Sequence, residues 1–384
     1  MNIRILHTAL PALVASLLLG SSGAQAQELK KVTIGHTGSS CQAPVFIAQE
    51  KGFYKEEGLE VTFAQGDWNF LREGLAFGKV DAAQGLVMNF LKPLEQGFDV
   101  KFTAGIHRGC IYVFVPKDSP ITSAADLKGK RVGVPGIGSS QWVFAQRAVG
   151  GAGLDVKKDV EWRSFPNSEL KLALDKGEVD AIAVLDPTAR VIANTGTVKI
   201  IVDQGRDEAY KDEYCCVVVA SGKLVRRDPD TAARITRAIL KASKWVDANP
   251  QEAAIISVEK KYVGASVQIN SEVFKDLDYI PSVAGGRDAV RTAAKALQEV
   301  GILLPSTKID TLVEKTFLDL PGVTDEWLQG VSVAKVEPLS PGQLRSYLAS
   351  LGIPADQLLN NAEDLCGGAD SGGLGQTFLT SFAK

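Results

Sequence analysis

The run Gly78-Lys79-Val80-Asp81-Ala82-Ala83 recurs further along the chain as Gly177-Glu178-Val179-Asp180-Ala181-Ile182. In each copy an amphipathic helical stretch, Phe70 to Phe77 and then Ser168 to Lys176, ends on a C-capping glycine and a buried apolar strand follows. Each copy is also preceded by a strand–turn–helix unit, Val32 to Lys51 in the first half and Arg131 to Ala148 in the second. Chance can echo a short pattern, but the same elements in the same order on both sides predict two similar βα lobes. Strands alternating with helices build a mostly parallel sheet covered by helices, the α/β class.

The first unit, Lys31 to Phe63, is the densest in information. The strand Val32-Thr33-Ile34 gives way to the polar loop Gly35-His36-Thr37-Gly38-Ser39-Ser40-Cys41, a helix over Val45 to Lys51 closes on Gly52, and Leu59 to Phe63 alternates as a half-buried strand. In open α/β sheets the crevice at the carboxyl ends of the strands receives the ligand. This loop is therefore a predicted binding element.

Residues 1–26 carry Arg4, the apolar run Ala9 to Leu19 and a small-residue segment ending Ala24-Gln25-Ala26. That order predicts a secretory signal peptide cleaved after Ala26 and a periplasmic destination. The apolar run is about half of the ~20 residues that a membrane span needs, which argues against an N-terminal anchor. Residues 27–384 are enough for two domains at the usual ~100–200 residues each. With 45% apolar residues, 23% charged residues and a formal net charge of -3, and without a long basic block, the chain makes a poor nucleic-acid binder. A monomer is expected.

Two further strands stand between and after the lobes: Cys110 to Val115, followed by the turn cluster Pro116 to Pro120, and Tyr214 to Ala220. Read as crossovers, they place lobe 1 at 27–116 and 217–330 and lobe 2 at 117–216. Helices are predicted over Asp230 to Ala248, Pro250 to Tyr262 and Gly286 to Val300. Residues 331–384 form an extension with a helix over Gln343 to Leu351, another from Ile353, and a Gly-rich flexible tail. Cys366 in that tail is a free thiol or an intermolecular bridge, since the cysteines number five.

The segments APVFIAQEKGFYKEEGLEV (43–61), GKVDAAQG (78–85), KDSPITSAADLKGKRVGVPGIGSS (117–140), GAGLD (151–155), GEVDAIAVLDP (177–187) and VRRDPDTAARITRAILKASKWVDANPQEAA (225–254) carry a resemblance. In order and spacing the chain resembles periplasmic solute-binding proteins of ABC transporters, in the nitrate/sulfonate/taurine branch with the type II periplasmic-binding fold. This group also holds relatives of the thiamine-pyrimidine synthases. The resemblance covers about residues 31 to 330. It implies a receptor that captures a small, anionic organic solute between its lobes by hinge closure and delivers it to a membrane permease. It implies no enzyme activity and no cofactor.

The resemblance places ligand contacts on three loops: His36, Thr37, Ser40 and Cys41; Gly85 to Asn89; and Gly138, Ser139, Ser140 and Gln141. The last loop leads into a helix whose free N–H groups favour an anion, although Ser139 or Ser140 equally suits capping of its own helix. Asp186, before Pro187, suits a ligand amine or a turn cap. Trp68, Trp142 and Trp162 are candidates for aromatic walls or for core.

This chain departs from the family pattern in its histidines and cysteines. His36 and His107 are the two histidines beyond the signal, and Cys41, Cys110 and the vicinal Cys215-Cys216 fall at strand ends expected to converge. Three readings stay open. Disulfides would clamp the hinge, as Cys41–Cys110 or as Cys110 with one of the vicinal pair. A soft-metal or metal-chelate site would use His36, Cys41, His107, Cys110, Cys215 and Cys216. A mixed pocket would treat cysteine as a small hydrophobe. A Cys215–Cys216 bridge is disfavoured because adjacent Cα atoms lie ~3.8 Å apart, below the usual ~4.4–6.8 Å. The synthase relatives combine a histidine, a lysine-bound pyridoxal phosphate and a cysteine-rich motif with iron. The pair Cys215-Cys216 resembles that motif only faintly, and two histidines with no visible base and orienter leave little room for a hydrolytic triad.

Overall fold

Asp81 and Asp180, the aspartates of the repeated motif, do the same job in two separate sheets. The Asp81 carboxylate accepts from the Thr33 N–H at 2.8 Å while its own N–H donates to the Thr33 carbonyl. Asp180 repeats this with Arg131 and adds a two-pronged ion pair to the Arg131 guanidinium. The valines one residue earlier, Val80 and Val179, are buried under these strand starts. The motif is thus a fastening between the first and third strands of a lobe, and its recurrence reports a duplicated architecture.

A computed structural model describes residues 28–352. Its strands are β1 (Lys30–His36), β2 (Leu59–Gln65), β3 (Ala82–Leu86), β4 (Val100–Arg108), β5 (Ile111–Pro116), β6 (Lys130–Val134), β7 (Val160–Ser164), β8 (Ala181–Leu185), β9 (Val198–Asp203) and β10 (Tyr214–Ser221). They form two five-stranded sheets of matching order, β2-β1-β3-β10-β4 and β7-β6-β8-β5-β9. In each, four strands run parallel and one antiparallel strand, β10 in the first sheet and β5 in the second, is inserted beside the last of them; these two are the strands that follow the crossings between the sheets. The α/β expectation and the two-lobed architecture both hold.

The lobe boundaries shift, however. The strand expected as the first crossover, β5, pairs with β8 and β9 and belongs to the second sheet. The strand expected as the second, β10, lies between β3 and β4 in the first. The chain therefore changes lobe at Gly109-Cys110 and again between Asp203 and Tyr214, not at 116/117 and 216/217. The physical reason is length: a strand of six to eight residues finds a sheet to pair with, and only short connections cross the gap. At the crossing, a Cβ on Gly109 would sit 2.8 Å from the Gly205 Cα, so glycine is required where the two connections touch.

The first lobe's core is built from large rings such as Phe46, Tyr54, Phe90, Phe102, Phe274 and Tyr279, each contributing about 1.5–3 kcal/mol by burial. Helices Ala43–Glu50, Pro229–Ala248 and Val283–Glu299 cover its sheet. A smaller second cluster, including Tyr112, Phe114, Leu170, Leu174 and Ile182, packs on one face of the second sheet. The predicted helices at 230–248, 250–262 and 286–300 appear as Pro229–Ala248, Pro250–Glu259 and Val283–Glu299.

Part of the extension is a strap. Asn249 donates to the Ala334 carbonyl and accepts from the Val336 N–H, and Gln251 does the same for the Leu339 backbone. Helix Pro341–Ser350 follows, started by a Ser340–Gln343 capping box. The signal peptide, the helix expected from Ile353 and the Cys366 tail lie outside the described residues. Among the described residues no helix is long and apolar enough to cross a membrane.

Candidate binding cleft

Strand polarity alone gathers the expected site onto one edge. In the first sheet β1, β3 and β4 end at the same side and the antiparallel β10 begins there. His36, Asn89, His107, Cys215 and Cys216 therefore share the edge that faces the second lobe. In the second sheet β6 and β8 are parallel and end toward Gly136–Gln141 and Asp186.

Individual residues divide into those held internally and those left open. The Thr37 N–H and hydroxyl both donate to the Gln42 side-chain carbonyl, at 2.9 and 3.0 Å. Ser40 donates to Asn270 at 2.5 Å, and the Gln42 and Gln84 amides tie the loop to β3. Thr37 and Ser40 thus shape the loop. Gly85 lies within β3 opposite Val217, and a Cβ there would meet the Phe90 ring at 2.5 Å. It makes room for a core ring, a packing role within the strand.

The Ser139 hydroxyl accepts from the Trp142 N–H at 3.2 Å, and the buried Ser140 bonds the Gln141 side chain. The capping role of Ser139 is therefore realised, with Gly138 in open space beside it. Asp186 is fully buried, accepts from the Tyr112 hydroxyl and from the Arg190 N–H, and is lifted by burial to a pKa of about 7. It caps the helix that follows and has no open face for an amine.

His36 and Asn89 remain open. His36 sits in a box of Phe46, Phe63 and Tyr262, with ring centroids 5.0 Å from Phe46 and 5.5 Å from Phe63. Burial lowers its pKa to about 4, so the ring is neutral near pH 7. Its Nδ1 is buried with no partner, as is the Asn89 side-chain nitrogen. Asn89 lies in the first turn of helix Val87–Glu95, which packs across the gap on helix Ser140–Gly151. Trp142 and Trp162 pack edge to face inside the second lobe.

A second group forms beneath the crossing point. Cys41, Cys110, Cys215, Cys216 and His107 are all buried, and the four cysteines are free thiols. The sulfurs of Cys110 and Cys215 lie 3.2 Å apart, and Cys215 also approaches the Gly109 carbonyl at 3.0 Å. The expected convergence of these residues is thus real, but His36 stands apart with its aromatic box.

The contacts that bridge the lobes carry no sequence signal. Arg190 of helix Thr188–Asn194 pairs with Asp276 of helix Val267–Asp276, Arg206 reaches the same carboxylate at 3.4 Å, and Asn194 donates to Glu272 at 3.2 Å. No motif marks such surface charges, because any exposed helix carries similar ones. A groove of about 990 Å³ between helices Ser140–Gly151 and Val283–Glu299, lined by Arg147, Tyr210, Lys295 and Glu299, lies away from the strand ends. Arg147 in it already pairs with Glu213.

Two lobes of matching topology, joined by two short crossings and closed over an edge of strand ends, define a periplasmic-binding-protein fold. The chain belongs to the NMT1/THI5-like family, whose model matches residues 40–253. It is 23% identical over 291 residues to the nitrate/nitrite binding protein NrtA of Synechococcus elongatus, a match covering 68% of this chain and 65% of that protein. It thus spans just under two thirds of that relative. It is 24% identical over 249 residues to the 4-amino-5-hydroxymethyl-2-methylpyrimidine phosphate synthase of Aspergillus parasiticus, covering 61% and 70%. Among solved structures, the aliphatic sulphonate binding protein SsuA of Escherichia coli superposes with a TM-score of 0.63 at 17% identity, covering 82% of this chain and 97% of that one. The nitrate-binding protein NrtA of Synechocystis PCC 6803 gives 0.64 at 17%, covering 87% and 92%.

Proposed function

We propose that this chain is the extracytoplasmic solute receptor of an ABC importer. It captures a small organic oxyanion between its lobes and presents it to a membrane permease. The reading rests chiefly on the buried Asn89 amide nitrogen, a donor with no partner at the edge where the lobes meet. A buried donor left unpaired costs about 1–3 kcal/mol, and an oxyanion supplies the missing acceptor. The neutral His36 ring and the N-terminal turn of helix Ser140–Gly151 add donors without adding formal charge. Nitrate and sulphonate, named for the relatives, are both oxyanions.

Closure is the mechanism. Binding shifts the lobes toward the state in which Arg190 meets Asp276, and no bond in the solute is broken. The chain acts as a receptor and not as an enzyme: the hydroxyls and carboxylate beside the cleft are engaged in capping and loop bonds. Thermal-shift screening of alkanesulfonates, carboxylates and nitrate, with native mass spectrometry for a co-captured solute, tests the reading. A stabilising oxyanion supports it. A captured cation or neutral solute, with no response to any oxyanion, overturns it.

A further inference from the structure

From the geometry of the buried cluster at the lobe crossing, we propose that it is a binding site for a thiophilic d10 cation, zinc(II) or copper(I). The ligands are drawn from Cys41, His107, Cys110, Cys215 and Cys216. Two triads define it, Cys41–His107–Cys216 and Cys110–Cys215–Cys216, and within each the ligand atoms lie within 4.8 Å of one another. Cys216 belongs to both, so the triads are halves of one site. Metal–sulfur bonds of about 2.3 Å place thiolates roughly 3.8 Å apart around a tetrahedral ion. Within each triad the side chains thus need to adjust by no more than about 1 Å, most closing in and the Cys110 and Cys215 sulfurs parting slightly from 3.2 Å.

The fold has made an exception to bring these sulfurs together. Neighbouring residues of a strand point to opposite faces, so Cys215 and Cys216 ought to diverge. The register of β10 against β4 is irregular at this point: Tyr214 opposes Arg108, Cys216 opposes His107, and Val217 opposes Gly105. Cys215 is the extra residue of a β-bulge, the device that re-aims a side chain. Both vicinal sulfurs consequently reach the same cluster.

The remaining ligands are held by their backbones. The Cys41 carbonyl accepts from Gln84 and from the Tyr279 hydroxyl, and the Cys110 carbonyl accepts from the Asp186 N–H at 3.2 Å. His107 packs on the Tyr279 ring at 5.0 Å. Its Nδ1 lies 3.3 Å from the Arg108 carbonyl, while its Nε2 is fully buried and has no partner. Four small hydrophobic thiols would explain the burial of sulfur, but not an imidazole nitrogen left open among them. An ion completes it. Ligands of this softness select zinc or copper(I) over hard cations, and a d10 ion imposes no geometry of its own.

On binding, each ligating thiol gives its proton to solvent and enters as thiolate, so two thiolates balance zinc(II) and one balances copper(I). The ion would join the loop after β1, the end of β4, the start of β10 and, through Cys110, the crossing into the second lobe. It would stiffen the hinge beneath the cleft while leaving His36 and Asn89 to the solute.

The test uses the mature full-length protein, reduced and stripped of metal, titrated anaerobically with cobalt(II), zinc(II) and chelator-buffered copper(I). One ion per chain is expected. Cobalt should give a near-ultraviolet thiolate charge-transfer band and the visible bands of a tetrahedral site, bleached by the preferred ion. Cys216→Ser should weaken binding by more than the 10–100-fold typical of outer-shell changes, whereas Cys366→Ser should leave it unchanged. Should Cys216→Ser fail to fold, His107→Gln keeps all the thiols and should shift the cobalt spectrum. The proposal is overturned by less than one ion per chain in every titration, or by an octahedral cobalt spectrum. A Cys110–Cys215 disulfide in protein isolated with its thiols trapped overturns it as well. Solute binding by metal-free protein is measured separately, so failure here leaves the cleft reading standing.

Discussion

Arg190 on the second lobe and Asp276 on the first form an ion pair across the mouth of the cleft. Both side chains are largely covered, and Arg206 and the Asn194–Glu272 hydrogen bond reinforce the same helix pair. These contacts exist only when the lobes are together. On the proposed function they act as a latch on the closed state, beside the strand end at Asp186, to which the Arg190 N–H is bonded.

Breaking the latch should therefore act on release. A partly exposed pair is worth about 0.2–1 kcal/mol, so Asp276→Asn should speed solute dissociation by roughly 1.4- to fivefold. The association rate should be nearly unchanged and the folded state intact. Stopped-flow fluorescence with the solute found by screening reads both rates. Equal dissociation rates in variant and wild type would show that these helices do not report closure.

Asp186 gives the protein a pH signature. Its pKa rises from 3.8 unfolded to about 7 folded, through burial. The folded state holds this proton more tightly, so the stabilisation is complete below about 4 and is lost as pH climbs toward 7. His36 runs the other way: its pKa falls from 6.5 to about 4, so stability is lost as pH drops through that window. The melting temperature of wild type minus that of Asp186→Asn should fall between pH 4 and 7 and then level off. The same difference for His36→Gln should rise over pH 4 to 6.5. Flat differences would remove both assignments.

Asn249 fastens the strap. Replacing it with alanine removes its bonds to Ala334 and Val336 and should cost about 1–3 kcal/mol. Hydrogen exchange should quicken at the Val336 and Leu339 amides while the β10 amides stay protected. Unchanged exchange at Val336 would mean the strap is held by other contacts.

Much of this architecture was legible because it follows local rules. The repeated Gly-x-Val-Asp-Ala run marks a strand start whose aspartate and valine have fixed jobs, and so it announced two lobes. The loop His36 to Cys41 was placed by strand polarity. Tertiary pairing decided what the sequence left ambiguous. Ile111–Pro116 reads as an apolar strand in any context, and only its partners β8 and β9 assign it to the second lobe. Nothing in the sequence around Gly85 announces the Phe90 ring packed against it. The bulge at Cys215 depends on β4 offering no partner between Arg108 and His107, which no pattern within β10 can reveal. Asp276 and Arg190 become a pair only through the approach of two helices distant in sequence.

The central claim is that an oxyanion is held between the lobes by donors that include Asn89. Calorimetric titration of the solute identified by screening, into wild type and Asn89→Ala of equal melting temperature, tests it most directly. One site per chain is expected in wild type, weakened about tenfold or more in the variant, as loss of one hydrogen bond to a charged group implies. Equal affinity in the two proteins would contradict the account.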